Sequence, residues 1–393
     1  MVAETARKFQ ALEAQAQRLM AVFTKAGYEA VAPAIIQPAD VFLDVVGESL
    51  RARTYVFTDP DASELCLRPD LTVPTCRLHL ERHPACDVEA RYCYNGPAFR
   101  FQPAGADAIA HPREFRQAGI EYFGSTKREE AEVEIVRLSI NAVRSAGLKD
   151  FGLRIGDLGL FHALLDALEM PERWRARLRY HFWRPDAFRE ELARLTRDPA
   201  EAVHDLPADL MAKLNRDDLA ASEAAVSAYL AENGLELVGA RSISEITQGL
   251  LAAAADAAAE PLSSEAAGLI EDYLKVRAPA RAAAARVRDL MENRGVDLGS
   301  AFDTYERRLK LLAGAGLDLG EIEFSAEFGR NLEYYTGFVF EIVVPALGRG
   351  SPVAGGGRYD GLLKAVGAPE AVPAVGSAIH TERLLAVVNG DGP

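Results

Sequence analysis

Long apolar runs are missing from this sequence. No stretch of about 18 apolar residues occurs, so no helix is expected to cross a membrane. The opening segment, MVAETARKFQALEAQAQRLM, lacks the apolar core of an export signal and reads as a charged amphipathic helix. A cytoplasmic protein is the expectation. Cysteine is sparse. Cys66, Cys76, Cys86 and Cys93 have no C-x-x-C spacing, which predicts reduced, mostly buried thiols and no disulfide framework. The zinc-protease pattern H-E-x-x-H is absent, because Leu80 follows His79 in HLERH. His79 and His83 therefore read as surface or capping residues, and no metal site is expected. No G-x-x-x-x-G-K-[ST] phosphate loop occurs either; GGGRYDG at 355–361 reads as a tight glycine turn. Positive charge is in deficit, with 44 Lys and Arg against 58 Asp and Glu. The net charge of −14 argues against a dominant nucleic-acid surface.

What is present fits a globular protein of two or three domains: 393 residues, 49% apolar and 26% charged. Residues 1–26 predict one helix ended by Gly27. Pro33 and Pro38 then break YEAVAPAIIQPADVFLDVVG into a strand and a helix. RTYVFTDP and ELCLRPD predict strands, with a helix opening near Thr72. ARYCYNGPAFRFQ and AGIEYFG predict two more strands around a loop, PAGADAIAHPRE. A helix follows, with Thr126 and Glu129 spaced for a capping box ahead of Val133, Val136, Ile140 and Val143. FGLRIGDLGL reads as a strand. From 161 to 315 the chain turns rich in Ala, Leu, Arg and Glu and reads as a mostly helical insertion, broken at Pro279. Strands return in EIEFSAEFG, GFVFEIVVP and PAVGSAIH. The expected fold is α+β: residues 1–160 and 316–393 close one mostly antiparallel sheet flanked by helices.

Several polar residues stand where a sheet should bury apolar ones. GRNLEYYTG, residues 329–337, carries Arg330, Glu333, Tyr334 and Tyr335 between two strands. Asp70 and Thr72 follow a strand, and Arg100 sits in GPAFRFQ. Gln117, Gly119 and Glu121 share one face of a strand, and the glycine between two polar groups leaves room for a ligand. Each has a plain alternative: a helix cap for Asp70 or Thr72, an edge position for Glu121, a surface pair for Arg330 and Glu333.

Their joint order resembles the catalytic domain of the histidyl-tRNA synthetases, which are class II aminoacyl-tRNA synthetases. GYEAVAPAII with Pro33 resembles motif 1. YNGPAFRFQ through FRQAGIEYFG resembles motif 2, and AVGSAIHTERLL resembles motif 3. GRNLEYYTGFVFE and VAGGGRYDGLL are similar to the two histidine-specific segments. The resemblance implies an L-histidine pocket. In it Asp70, Thr72 and Gln117 hold the α-ammonium, Glu121 and Tyr335 address the ring nitrogens, Arg330 and Arg100 face the carboxylate, and Tyr334 lines the cavity.

The departures point away from aminoacylation. Ten residues follow Arg383, where a synthetase continues into an anticodon-binding domain. Gln102 replaces the glutamate of F-R-x-E, His380 stands where the family keeps a glycine under the adenine, and the motif 2 loop lacks charges for tRNA. This combination resembles the synthetase-like regulatory-subunit family of ATP phosphoribosyltransferase. The resemblance implies a non-catalytic protein without cofactor that binds L-histidine for feedback control in histidine biosynthesis. It also implies a homodimer through the motif 1 region, partnered with the short-form catalytic subunit and not with tRNA or membrane. The alternatives are a histidine-activating, adenylate-forming ligase and an interaction module with a vestigial pocket.

Overall fold

A computed structural model describes residues 5–43, 48–102, 112–197, 207–235, 242–329, 332–348 and 350–390. The loop expected at 103–111 and the residue Arg330 lie outside the described residues. The chain divides into two compact units, 1–167 with 272–393, and 168–271.

The first unit is built on a nine-stranded sheet. Its strands in chain order are β1 (Glu29–Ala30), β5 (Ala90–Phe99), β6 (Glu114–Phe123), β7 (Gly152–Asp157), β8 (Arg277–Pro279), β9 (Ile322–Ser325), β10 (Phe338–Val343), β11 (Ala354–Arg358) and β12 (Ala374–His380). They lie in the order β1-β5-β6-β12-β11-β10-β7-β9-β8. Only β1–β5 and β7–β9 pair in parallel. A small second sheet holds β2 (Ile36–Pro38), β4 (Glu64–Leu67) and β3 (Tyr55–Thr58), next to α2 (Ala39–Leu43) and α3 (Glu48–Arg51).

Helices cover the large sheet. α1 (Ala6–Lys25) begins where the Thr5 hydroxyl accepts the Lys8 N–H, and chain direction changes at Gly27, at φ +90°. It buries Leu12, Ala16, Leu19 and Phe23, the stripe expected of a helix lying on a core. α4 (Thr72–Arg82) follows β4. α5 (Arg128–Ser145) buries Val133, Val136, Ile140 and Val143 as their spacing predicts. The capping box expected of Thr126 and Glu129 does not form. The helix starts two residues later, behind Lys127, and Glu129 instead pairs with Arg307 at 3.1 Å.

Three other expectations are corrected. The glycine turn at 355–357 is a fully buried strand, β11, between β10 and β12. Glycine is required there by close approach: a Cβ on Gly356 would overlap the Gly376 carbonyl, and one on Gly357 the Phe338 carbonyl. His79 is a core residue, fully buried with Nδ1 3.3 Å from the Tyr92 hydroxyl, and burial pushes its pKa down to about 4. His83 does occupy the C-cap of α4. The helical insertion is narrower than 161–315. α6 (Leu158–Ala167), at its start, belongs to the sheet unit. So do two helices read as insertion, here numbered after those of the second unit: α13 (Ala280–Asn293) and α14 (Ser300–Gly314). They pack on the edge strands, and three-residue β8 is too short to be seen in an alanine-rich background. All four cysteines are free, and Cys66, Cys76 and Cys93 are buried.

The second unit is helical: α7 (Glu172–His181), α8 (Pro185–Leu195), α9 (Ala208–Met211), α10 (Leu219–Glu232) and α11 (Ile243–Ala257). α12 (Ser264–Leu274) begins in it and ends in the first unit. Trp174, Leu178, Phe188 and Leu192 form its core. Asp256, 4% exposed, accepts bonds from Trp174 Nε1 and Arg177 Nη2, both at 2.6 Å, and from Arg173 Nε. The first unit closes with α15 (Leu362–Ala365) and α16 (Thr381–Asn389).

Candidate functional site

Strand β6 brings the polar residues together. Across it Gln117, Gly119 and Glu121 pair with Gly96, Tyr94 and Tyr92 of β5 on one side. On the other side they pair with His380, Ala378 and Gly376 of β12. Gln117 and Glu121 are both buried, so the edge-strand alternative for Glu121 does not hold. The space above Gly119 is not a ligand void: it holds the Tyr94 ring, whose Cζ and hydroxyl would stand 2.5 Å from a Cβ. Glycine is needed there so that Tyr94 can cross β6 and reach Glu121.

Glu121 is the hub. Tyr94 donates its hydroxyl to Oε1 at 2.8 Å, and Tyr359 donates to Oε2. The Thr72 side chain bonds the same carboxyl group. Burial pushes the Glu121 pKa up to about 8, against these hydrogen bonds, which favour the anion. Burial and the neighbouring carboxylate also hold the Tyr94 and Tyr359 phenols well above their ordinary range. Tyr359 is absent from the sequence-predicted set. Its place in GGGRYDG was visible, but the run was read as a turn.

Two acceptors nearby have no protein partner among the described residues: Asp70 Oδ2 and Gln117 Oε1. Asp70, 3% exposed, uses its other oxygen to accept the Val73 N–H at 3.2 Å in the first turn of α4. The capping alternative for Asp70 is thus half realised. Burial raises its pKa, and the Arg100 charge opposes that rise. A buried acceptor without a donor is costly, and a ligand donor at that point removes the cost.

Arg100 donates Nε to the Pro69 carbonyl at 2.9 Å and lies 5.1 Å over the Phe115 ring. Burial pushes its pKa down to about 10 against the attraction of Asp70, with Arg53 and Arg383 adding repulsion. Tyr334 and Tyr335 are buried, with ring centroids 4.9 Å apart, and both pack on Tyr359 at 5.7 and 6.2 Å. Tyr335 was expected beside Glu121; the phenol bonded to Glu121 from this cluster is Tyr359. On the far side of Arg100 the His380 ring lies against Phe115, centroids 5.2 Å apart. Gln102 is buried there, and its carbonyl accepts Arg113 Nη2 at 3.1 Å. Arg383 Nη1 donates to the Pro352 carbonyl at 3.1 Å.

The arrangement offers a carboxyl group set among hydroxyls, two open acceptors and a buried cation within one stretch of sheet. That set matches a small zwitterion with a hydrogen-bonding ring. Among the described residues no cluster of His, Cys, Asp and Glu is arranged to hold a metal ion, and no helix is long and apolar enough to cross a membrane.

Residues 5–256 and 245–384 match the family described as histidyl-tRNA synthetase. An ATP phosphoribosyltransferase regulatory subunit of Brucella anthropi is 34% identical over 359 residues, covering 90% of this chain and 92% of the relative. One of Mesorhizobium japonicum is 34% identical over 382 residues, covering 97% and 98%. Among solved structures, an ATP phosphoribosyltransferase regulatory subunit/histidyl-tRNA synthetase from Bacillus halodurans superposes with a TM-score of 0.68 at 20% identity, over 99% of this chain and 82% of that one. A histidine–tRNA ligase subunit from Alicyclobacillus acidocaldarius gives 0.60 at 24% identity, over 100% and 97%. The fold they share is the class II synthetase fold expected from the motifs.

Proposed function

We propose that this chain, which belongs to the histidyl-tRNA synthetase-like family of ATP phosphoribosyltransferase regulatory subunits, is the non-catalytic, L-histidine-binding partner of a short-form catalytic subunit. One observation carries the reading. Unpartnered acceptors on Asp70 and Gln117 lie on the same part of the sheet as Glu121 and its phenols. Asp70, Thr72 and Gln117 take the α-ammonium. Glu121 takes a ring N–H, with Tyr359 and Tyr335 beside it. Arg100 and Arg330 take the carboxylate, and Tyr334 forms a wall. Each charge-assisted bond contributes about 1.5–3 kcal/mol, and three or four, less the ordering cost, give micromolar affinity, about −8 kcal/mol.

Aminoacylation is lost in this reading. His380 against Phe115 fills the place where an adenine ring would lie in a synthetase, and Gln102 brings no charge to it. The protein reports histidine concentration in the cytoplasm to the enzyme of the first step of histidine biosynthesis, with no tRNA as partner. Ile35, Ile36, Val56 and Phe57, exposed around the small sheet, supply apolar surface for self-association through the motif 1 region.

Arg100 and Arg383 favour one rival, a ligase that still forms histidyl-adenylate. The experiment has three arms. Calorimetry with L-histidine is expected to give micromolar binding. ATP–pyrophosphate exchange with histidine is expected to be absent. Mixing with a short-form ATP phosphoribosyltransferase is expected to yield a co-purifying complex whose activity histidine changes. Exchange above background establishes the ligase instead; no histidine binding at millimolar ligand leaves the interaction module.

A further inference from the structure

The strand that delivers Tyr359 to Glu121 has almost no side chains of its own. β11 reads Ala-Gly-Gly-Gly-Arg, so nothing on Gly355–Gly357 can lock its position by packing. The lock lies at its end. Arg358 donates Nε to Glu132 on α5, Nη2 to the Arg128 carbonyl at 2.8 Å, and Nη1 to Asp360 at 2.9 Å. Asp360 in turn accepts the Ala374 N–H at 2.9 Å, and its own N–H donates to the Thr336 hydroxyl at 3.1 Å. Tyr359 is thus fixed from both flanks. The same bonds fix the segment bearing Tyr334 and Tyr335, because the Thr336 N–H donates to the Arg358 carbonyl at 2.8 Å.

Glu132 is itself held. Its second oxygen takes Nε of Arg308 on α14, and Arg308 Nη1 goes on to Asp157 at the end of β7. The side chains of Glu132, Arg308, Asp157 and Arg358 are all at most 7% exposed. Apolar packing of equal volume would often be as stable as such a buried ionic set, so what the set adds here is geometry. It joins a helix beyond the insertion to the residue next to the phenol on Glu121.

We propose that Glu132 and Arg308 are positioning residues for the pair Glu121–Tyr359. Acting through Arg358, they set how well the pocket distinguishes a hydrogen-bonding ring from one of the same shape that cannot bond. The inference rests on the histidine reading above, in which the ligand ring meets Glu121.

The test compares L-histidine with β-(2-thienyl)-L-alanine, whose ring neither donates nor accepts strongly, on the full chain by calorimetry. Arg358→Lys, Arg308→Lys and Glu132→Gln are made in parallel, so that one folded variant suffices. Each is expected to lose roughly tenfold in histidine affinity, the scale of one charge-assisted bond, with the thienyl ligand unchanged. In a Tyr359→Phe background the same substitutions should have no further effect on the ratio, because their path is already cut. Equal losses for both ligands, no loss, or additivity with Tyr359→Phe overturns the proposal. A second readout needs no ligand. With tyrosine labelled by carbon-13 at Cζ, the Tyr359 resonance, identified by its disappearance in Tyr359→Phe, should move in each variant. An unmoved resonance overturns the positioning role. Wild-type protein that ignores histidine while the resonance moves overturns the histidine reading alone.

Discussion

Glu121 rests on Gly376. The two are direct partners across β6 and β12, and a Cβ at Gly376 would overlap the Glu121 Oε2 atom and press on the Tyr359 hydroxyl, 2.7 Å away. The smallest possible side chain change therefore reaches the ring-reading carboxyl directly. Gly376→Ala should lower histidine affinity more than tenfold and destabilise the fold by about 1–3 kcal/mol, the usual cost of forcing a group into a filled core. Calorimetry and thermal unfolding read the two effects. Gly249→Ala, at a helical glycine with open space around it, is the control and should leave the affinity unchanged. A folded Gly376→Ala protein with wild-type affinity would remove Glu121 from the site.

The raised pKa of Glu121 makes stability depend on pH. Burial lifts it from an ordinary 4.5 to about 8, so between those values the folded state keeps a proton that the unfolded state has lost. The folded state binds more protons, so stability from this group falls as pH rises through that window and is level below and above it. Urea midpoints of the ligand-free protein from pH 5 to 9 should decline more steeply for wild type than for Glu121→Gln, which cannot titrate. Parallel curves would place the Glu121 pKa outside the window.

How much of this was legible in the sequence depended on whether a residue's meaning was local. Gln117 and Glu121 could be placed on one face because a strand has a period of two. The stripe of α5 and the proline breaks after β1 were visible for the same kind of reason. Tyr94 and Tyr359 were not read as site residues, although both lie in stretches singled out on sight. Their role comes from crossing Gly119 and from facing Glu121, and neither neighbour is near in sequence. The glycines of β11 looked like a turn, because what demands them is the carbonyl of a strand some twenty residues away. Arg308 was lost in an alanine- and arginine-rich region, since composition cannot tell a helix of the insertion from one packed on the sheet. Arg330 carried much of the initial reading and lies outside the described residues, so its role stays with the proposal.

If Asp70 and Gln117 hold an ammonium group, ligands without one should not notice them. Asp70→Asn keeps the shape and removes the charge. It should lower L-histidine affinity about tenfold or more, the loss of one charge-assisted bond, and leave the affinity of imidazolepropionate, which lacks the amino group, unchanged or improved. Competition between the two ligands on wild type and variant gives the ratio directly. A parallel loss for both would return Asp70 to a helix-capping role at Val73.

The helical unit depends on one carboxylate. Burial works against the Asp256 charge, but bonds from Arg173, Trp174 and Arg177 outweigh it and hold the pKa below the usual value. Stability from this group is present above the ordinary carboxylate pKa and is lost as pH falls through the lower folded value. The arginine side chains are 26% and 34% exposed and can return to water, so the Coulombic part is small. The buried indole N–H of Trp174 cannot, and leaving it unpaired costs about 1–3 kcal/mol. Asp256→Ala should therefore destabilise by about 2–3 kcal/mol, and Asp256→Asn, whose amide oxygen still accepts from Trp174, by less than half of that. Hydrogen exchange should locate the loss of protection in residues 168–271. Equal effects of the two substitutions would show that charge, not the indole bond, holds the helices together.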